Sequence, residues 1–127
     1  MQFIVENSGL SEAVQIVSPA IGKTGSDIST HFLFRVREGS VEILGYSGRV
    51  FASSFLVSCE LEEGQEGEAF TLEGKRLKLL ISSLRNKNHE VKFESSGGDI
   101  KVTTPMGETL FSSLDPKTFP FWDSVLE

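Results

Sequence analysis

A pattern of three short alternating strands occurs twice in this chain, 59 positions apart, and that repeat limits what the chain can fold into. In the first copy, Phe32-Leu33-Phe34-Arg35-Val36 is followed by the turn-like Arg37-Glu38-Gly39-Ser40. Val41-Glu42-Ile43-Leu44 comes next, with Val41 and Ile43 on one side of the pleat. Gly45-Tyr46-Ser47-Gly48 makes a second turn, and Val50 to Val57 a third strand. Successive strand side chains point to opposite faces, so such alternation broken by glycine turns predicts a half-buried antiparallel meander. Phe32, Phe34, Gly39, Val41, Ile43 and Gly48 have counterparts in Val91, Phe93, Gly98, Ile100, Val102 and Gly107. At the same offset, Phe51-Ala52-Ser53-Ser54-Phe55 matches Leu110-Phe111-Ser112-Ser113-Leu114.

Each meander is preceded by a strand and a helix. Gln2 to Glu6 reads as a strand, and Ser8-Gly9 starts a helix with Leu10, Ala13, Val14 and Val17 at helical spacing. Ser18-Pro19 ends it, because the residue before proline is pushed out of the helical region. In the second half, Glu68 to Leu72 reads as a strand and Glu73 to Leu84 as a helix. The predicted fold class is α+β: two β-α-β-β-β units, about residues 1–58 and 67–114, with two helices packed on antiparallel sheets. The run from Glu60 to Gly67 reads as an acidic, solvated connection. The loop from Ile21 to Ser29 is longer than its counterpart around Asn86 to Asn88. The far sides of the strands, with Arg35, Glu42, Lys92, Glu94 and Lys101, are expected to stay wet. One domain is expected over 1–122 with a tail over 123–127, in which Leu126-Glu127 reads as a cloning remnant.

Little points to catalysis, and a chain that is not an enzyme and needs no cofactor or metal is expected. Its two histidines, His31 and His89, are far apart, outside any metal-ligand spacing, and are expected in surface or edge positions. Gly22-Lys23-Thr24-Gly25 suggests a phosphate loop, but the glycine that motif requires five residues earlier is Val17. The lone Cys59 reads as core filler in a reducing compartment. No stretch approaches the roughly 20 apolar residues of a membrane-spanning helix, and the start has neither a basic leader nor a long apolar region. No membrane partner and a cytoplasmic location are the expectation.

The net charge is −6, which taken alone argues against nucleic acid. The second predicted helix departs from that average. At about 100° per residue, Leu77, Leu80, Ile81 and Leu84 share one arc, while Lys75, Lys78, Ser82 and Arg85 share the opposite one, with no acid among them. Mobile cations on a face without base-reading groups suit phosphate contacts, and an ordinary solvated helix surface is the bland alternative. Arg76, Leu79 and Ser83 lie between the two arcs. That flank, together with a free edge on the last strand (Glu108 to Leu114) and Phe111, is a candidate contact with another subunit.

These features resemble the first domain of the bacterial DNA polymerase III beta subunit, the sliding clamp. The resemblance covers nearly the whole chain: Met1-Gln2-Phe3-Ile4-Val5-Glu6 before a helix, Val17-Ser18 before a loop bearing Lys23, and Phe111-Ser112-Ser113-Leu114-Asp115-Pro116-Lys117-Thr118-Phe119-Pro120. It implies a ring of repeated domains, closed by more than one copy of the full-length chain, with helices lining the hole around duplex DNA and sheets outside. It implies DNA contacts at Lys23 and Lys75, beside the Lys78 and Arg85 read from the helix face. It implies a subunit boundary at Arg76 and on the strand carrying Thr109 and Phe111, beside Leu79. The implied partners are double-stranded DNA without sequence preference and, through the full ring, a DNA polymerase and a clamp loader. Glu12 and Gln15 stand where the first helix would offer cations, and Gly22 to Ser29 lacks the family's proline-containing run. Both departures suggest a divergent member, such as a phage encodes. A non-catalytic interaction domain with the same repeated fold and no DNA role is the competing expectation; a hydrolase would need a catalytic cluster that the residues do not offer.

Overall fold

The structure, a computed structural model, describes residues 2–22, 30–37, 40–46, 51–55, 60–61, 68–84, 86 and 88–118. The predicted unit occurs twice. The first runs β1 (Gln2–Glu6), α1 (Asn7–Val17), β2 (His31–Arg37), β3 (Ser40–Tyr46) and β4 (Phe51–Phe55). A two-residue strand follows, β5 (Glu60–Leu61). The second unit runs β6 (Ala69–Glu73), α2 (Gly74–Ser83), β7 (Glu90–Ser96), β8 (Asp99–Thr104) and β9 (Gly107–Ser112). Short 3-10 turns occupy Ser18–Ala20, where Pro19 ends α1, and Pro116–Thr118.

The two units exchange their first strands. Sheet I has the order β5-β1-β7-β8-β9, and sheet II the order β4-β3-β2-β6. Thus β1 joins the meander of the second unit and β6 the meander of the first. The exchange meets at four phenylalanines, two facing each other across each sheet. Phe3 pairs with Phe93 at 4.8 Å between ring centroids, and Phe34 with Phe70 at 4.9 Å. Phe34 also lies 5.6 Å from Phe93 and Phe3 6.1 Å from Phe70, which ties the sheets together. Each fully buried ring stabilises the fold by roughly 1.5–3 kcal/mol. Leu10 and Leu77, equivalent positions of α1 and α2, enter the same core.

The 59-residue offset holds for part of the repeat. It relates the cross-strand pair Phe34 and Ile43 to the pair Phe93 and Val102. The third strand departs from it. Ile43 faces Ser54, while its counterpart Val102 faces Thr109, and Ser54 and Thr109 are 55 positions apart. The cause is turn length: Tyr46 faces Phe51 across four intervening residues, but Thr104 faces Gly107 across two. The match of Phe51–Phe55 to Leu110–Leu114 is therefore out of register. The predicted turn glycines Gly39 and Gly48 lie outside the described residues. In the β7–β8 turn, Gly97 takes a φ of +63°, a region costly for other residues. Gly45 on β3 serves a close approach instead, since a Cβ there would stand 2.8 Å from Val17 Cγ1 of α1.

Three further expectations need correction. Glu60 and Leu61 open the supposed solvated connection but pair with β1, whose second edge is otherwise open. Arg35 and Glu42 are buried rather than wet. His31 is also buried, with Nδ1 3.0 Å from Thr71 Oγ1, because β2 lies between β3 and β6 and both faces of sheet II are covered there.

Candidate nucleic-acid interface

The helices lie side by side. The start of α1 is fixed by the loop after α2: the Asn7 N–H donates to the His89 carbonyl at 2.8 Å, and Asn7 Nδ2 to the Asn86 carbonyl at 3.3 Å. At the other end, Lys78 Nζ donates to Ser18 Oγ across the gap at 2.9 Å. A groove of about 590 Å³ runs between them, where Ser8, Ser11, Gln15, Ser18 and Ser82 line the walls together with the apolar Val14, Ile81 and Leu84.

On α2, Leu77 is sealed in the core while Lys75 and Lys78 are exposed. They are three positions apart and therefore neighbours on one helix face. Lys23 and Arg85, the other two expected cations, lie outside the described residues. The surface of α1 beside the groove carries Glu12 and Gln15, so the described cations of this face come from α2. Among the described residues there is no cluster of three or more potential metal ligands and no helix long and apolar enough to cross a membrane.

The predicted boundary residues divide. Arg76 is exposed and reaches the edge strand β9: its Nη2 donates to the Leu110 carbonyl at 3.1 Å, and its guanidinium carbon sits 4.6 Å from the centre of the Phe111 ring. Leu79, one turn further along α2, is 63% exposed. Phe111, expected as part of a contact with a neighbour, is only 1% exposed. Strand alternation turns its ring into the core, so its side chain cannot serve that contact. Thr109 is half-buried. The outward residue is Leu110, 55% exposed, which the sequence reading missed. Once the register with Ile100 turns Phe111 into the core, alternation puts Leu110 on the opposite face.

Among the described strands, β9 pairs only with β8 and β4 only with β3, so each meander ends in an open edge. Solved structures share this fold. The DNA polymerase III subunit beta from Pseudomonas aeruginosa aligns over 100% of the chain with a TM-score of 0.81 and 19% identity. The chain has the fold of a sliding-clamp domain. The beta subunit from the DNA polymerase of Streptococcus pyogenes matches the same clamp fold over 100% of the chain, with a TM-score of 0.79 and 18% identity. The Helicobacter pylori beta clamp bound to a DNA ligase peptide matches over 94%, with a TM-score of 0.81 and 17% identity. The chain spans about a third of the length of these clamps: 32%, 33% and 32%. No protein-family model and no curated protein matches its sequence.

Proposed function

We propose that this chain is one segment of a ring-shaped sliding clamp, a non-catalytic processivity factor that encircles duplex DNA and tethers a replicative polymerase. The observation that carries this reading is the exposed, acid-free pair Lys75 and Lys78 on a helix face of a clamp-fold domain whose net charge is −6. An acidic outer wall is compatible with a basic lining, because a duplex meets the local field rather than the sum. A closed ring is held on DNA by its topology. Weak, sequence-independent phosphate contacts then suffice and permit sliding. Lys23 and Arg85 are proposed to join Lys75 and Lys78 in those contacts. The open edges of β4 and β9 supply the means of closing the ring, with Arg76, Leu79, Thr109 and Leu110 at the β9 boundary. In this reading the polymerase and the clamp loader act on the full-length assembly, a homo-oligomer in the cytoplasm.

Duplex binding by the isolated chain tests the DNA role. Binding should be weak and steeply salt-dependent, and Lys75→Glu with Lys78→Glu should weaken it and reduce the salt slope by up to about 2. Unchanged binding in that double variant, or tight sequence-selective binding by the parent chain, would count against it. The second reading, an interaction domain with no DNA role, draws on the net charge of −6 and predicts that the same reversal leaves full-length function intact.

A further inference from the structure

An open strand edge is a template for another strand, and folded chains commonly obstruct it. The two meander edges differ in how they are guarded. α1 packs directly along β4, whereas α2 reaches β9 through the long side chain of Arg76.

The register shows what Arg76 holds. The β8–β9 hairpin has two loop residues, Pro105 and Met106, between Thr104 and Gly107. Such a hairpin closes on a hydrogen-bonded pair, and hydrogen-bonded and non-hydrogen-bonded pairs then alternate along the ladder. Thr104–Gly107, Val102–Thr109 and Ile100–Phe111 are therefore the hydrogen-bonded pairs, and Lys101–Leu110 is not. The N–H and C=O of Leu110 thus point away from β8, out of the open edge. Arg76 Nη2 donates to that outward carbonyl at 3.1 Å. Its guanidinium also lies against the buried Phe111 ring, 4.6 Å from the centre, and this cation–π contact adds to the hydrogen bond.

We propose that Arg76 is a latch on the β9 edge, and that the strand it keeps off is the β9 of a second copy. The edge is self-complementary. An antiparallel β9 centred on Leu110 sets the two exposed Leu110 side chains against each other and Glu108 against Ser112 of the second copy, with no like charges opposed. Backbone hydrogen bonds across that pair use the Leu110 carbonyl, the group that Arg76 occupies. Pairing therefore requires the guanidinium to leave both the carbonyl and the ring. The latch does not depend on the DNA role or on how a ring closes.

Sedimentation equilibrium of the 127-residue chain tests the latch. Arg76→Ala should dimerise with a Kd lower than that of the parent chain by about tenfold or more, because a charge-assisted hydrogen bond no longer has to break in each copy. Adding Leu110→Pro should return association to the parental level. That proline removes an N–H that edge pairing needs and the β8 ladder does not use. Where the proline variant does not fold, Leu110→Lys, which opposes two cations across the pair, should give the same return. Should Arg76→Ala itself not fold, Arg76→Gln, whose shorter side chain stops before the carbonyl, should strengthen association in the same direction. Unchanged or weaker association in the folded Arg76 variant would overturn the latch. So would association that persists after the Leu110 substitution, which would assign it to the uncovered Phe111 ring.

Discussion

On the outward side of sheet II, Arg35 faces Glu42 across β2 and β3; on the outward side of sheet I, Glu94 faces Lys101 across β7 and β8. The two pairs are repeat counterparts, 59 positions apart, with their charges exchanged. The Arg35–Glu42 pair closes at 2.6 Å through Nη2 and 3.1 Å through Nε, with both side chains about 6% exposed. The Glu94–Lys101 pair closes at 3.0 Å with both side chains partly in water, and Lys101 also reaches Glu108 at 3.3 Å. The neighbouring positions follow suit: buried Leu33 and Leu44 in sheet II stand where sheet I has Lys92 and Thr103. One backbone pattern thus serves two environments. The side chains flanking an ion pair decide whether it is solvated or sealed, and sealing raises the cost of losing one partner.

Breaking the sealed pair should have the largest effect. Glu42→Ala takes away the buried carboxylate that both Arg35 and Arg37 reach and should cost up to about 3–5 kcal/mol in denaturant unfolding. Lys101→Ala, its counterpart in sheet I, should shift the unfolding midpoint far less, because solvent already screens the exposed pair. Equal losses at the two positions would remove the distinction between the faces. Next in size is Leu44→Ala, expected to cost about 2–4 kcal/mol. Thr103→Ala at the matching position should stay within about 0.5 kcal/mol.

A charge exchange separates environment from pairing. Glu94→Lys with Lys101→Glu should fold with nearly parental stability. The same exchange in sheet II, Arg35→Glu with Glu42→Arg, should destabilise clearly, because the buried guanidinium and carboxylate would lose their fitted geometry. The smallest expected effect is in pH dependence. The hydrogen bond from Lys101 holds the Glu94 carboxyl below its ordinary pKa, and hydrogen bonds to Glu94 and then Glu108 hold Lys101 above its own. The contribution of Glu94 is present above its unfolded-state pKa and is lost as pH falls through the lower folded value. That of Lys101 is present below its unfolded-state pKa and is lost as pH rises through the higher folded value. Glu94→Gln should therefore make the acid limb of the stability profile slightly shallower, as read from urea midpoints.

Much of this was legible along the chain. Alternation at Phe32–Val36 and Val91–Ser95 and helical spacing at Leu10, Val14 and Val17 are local patterns, set by the 2.0 and 3.6 residue periods of strand and helix. The basic face of α2 came from the same geometry, and Lys75 and Lys78 are exposed as it implies. Phe111 shows where local reading failed: an aromatic residue beside a free edge suggested a contact, but only the register with Ile100 shows which way the ring points. Arg35 and Glu42 failed for a related reason, since their burial depends on what lies over the sheet rather than on their own strand.

The sequence by itself determined the twofold β-α-β-β-β unit, the extents of its helices to within a residue or two, and the alternation of faces along its strands. Only the tertiary structure decided that β1 and β6 trade places between the units, that the third strands keep an offset of 55 rather than 59, and that one outward face is sealed while its counterpart stays wet. Periodicity is fixed by bonds between near neighbours in the chain. Strand exchange and the sealing of a face depend on surfaces that distant segments bury together, and no local pattern records those.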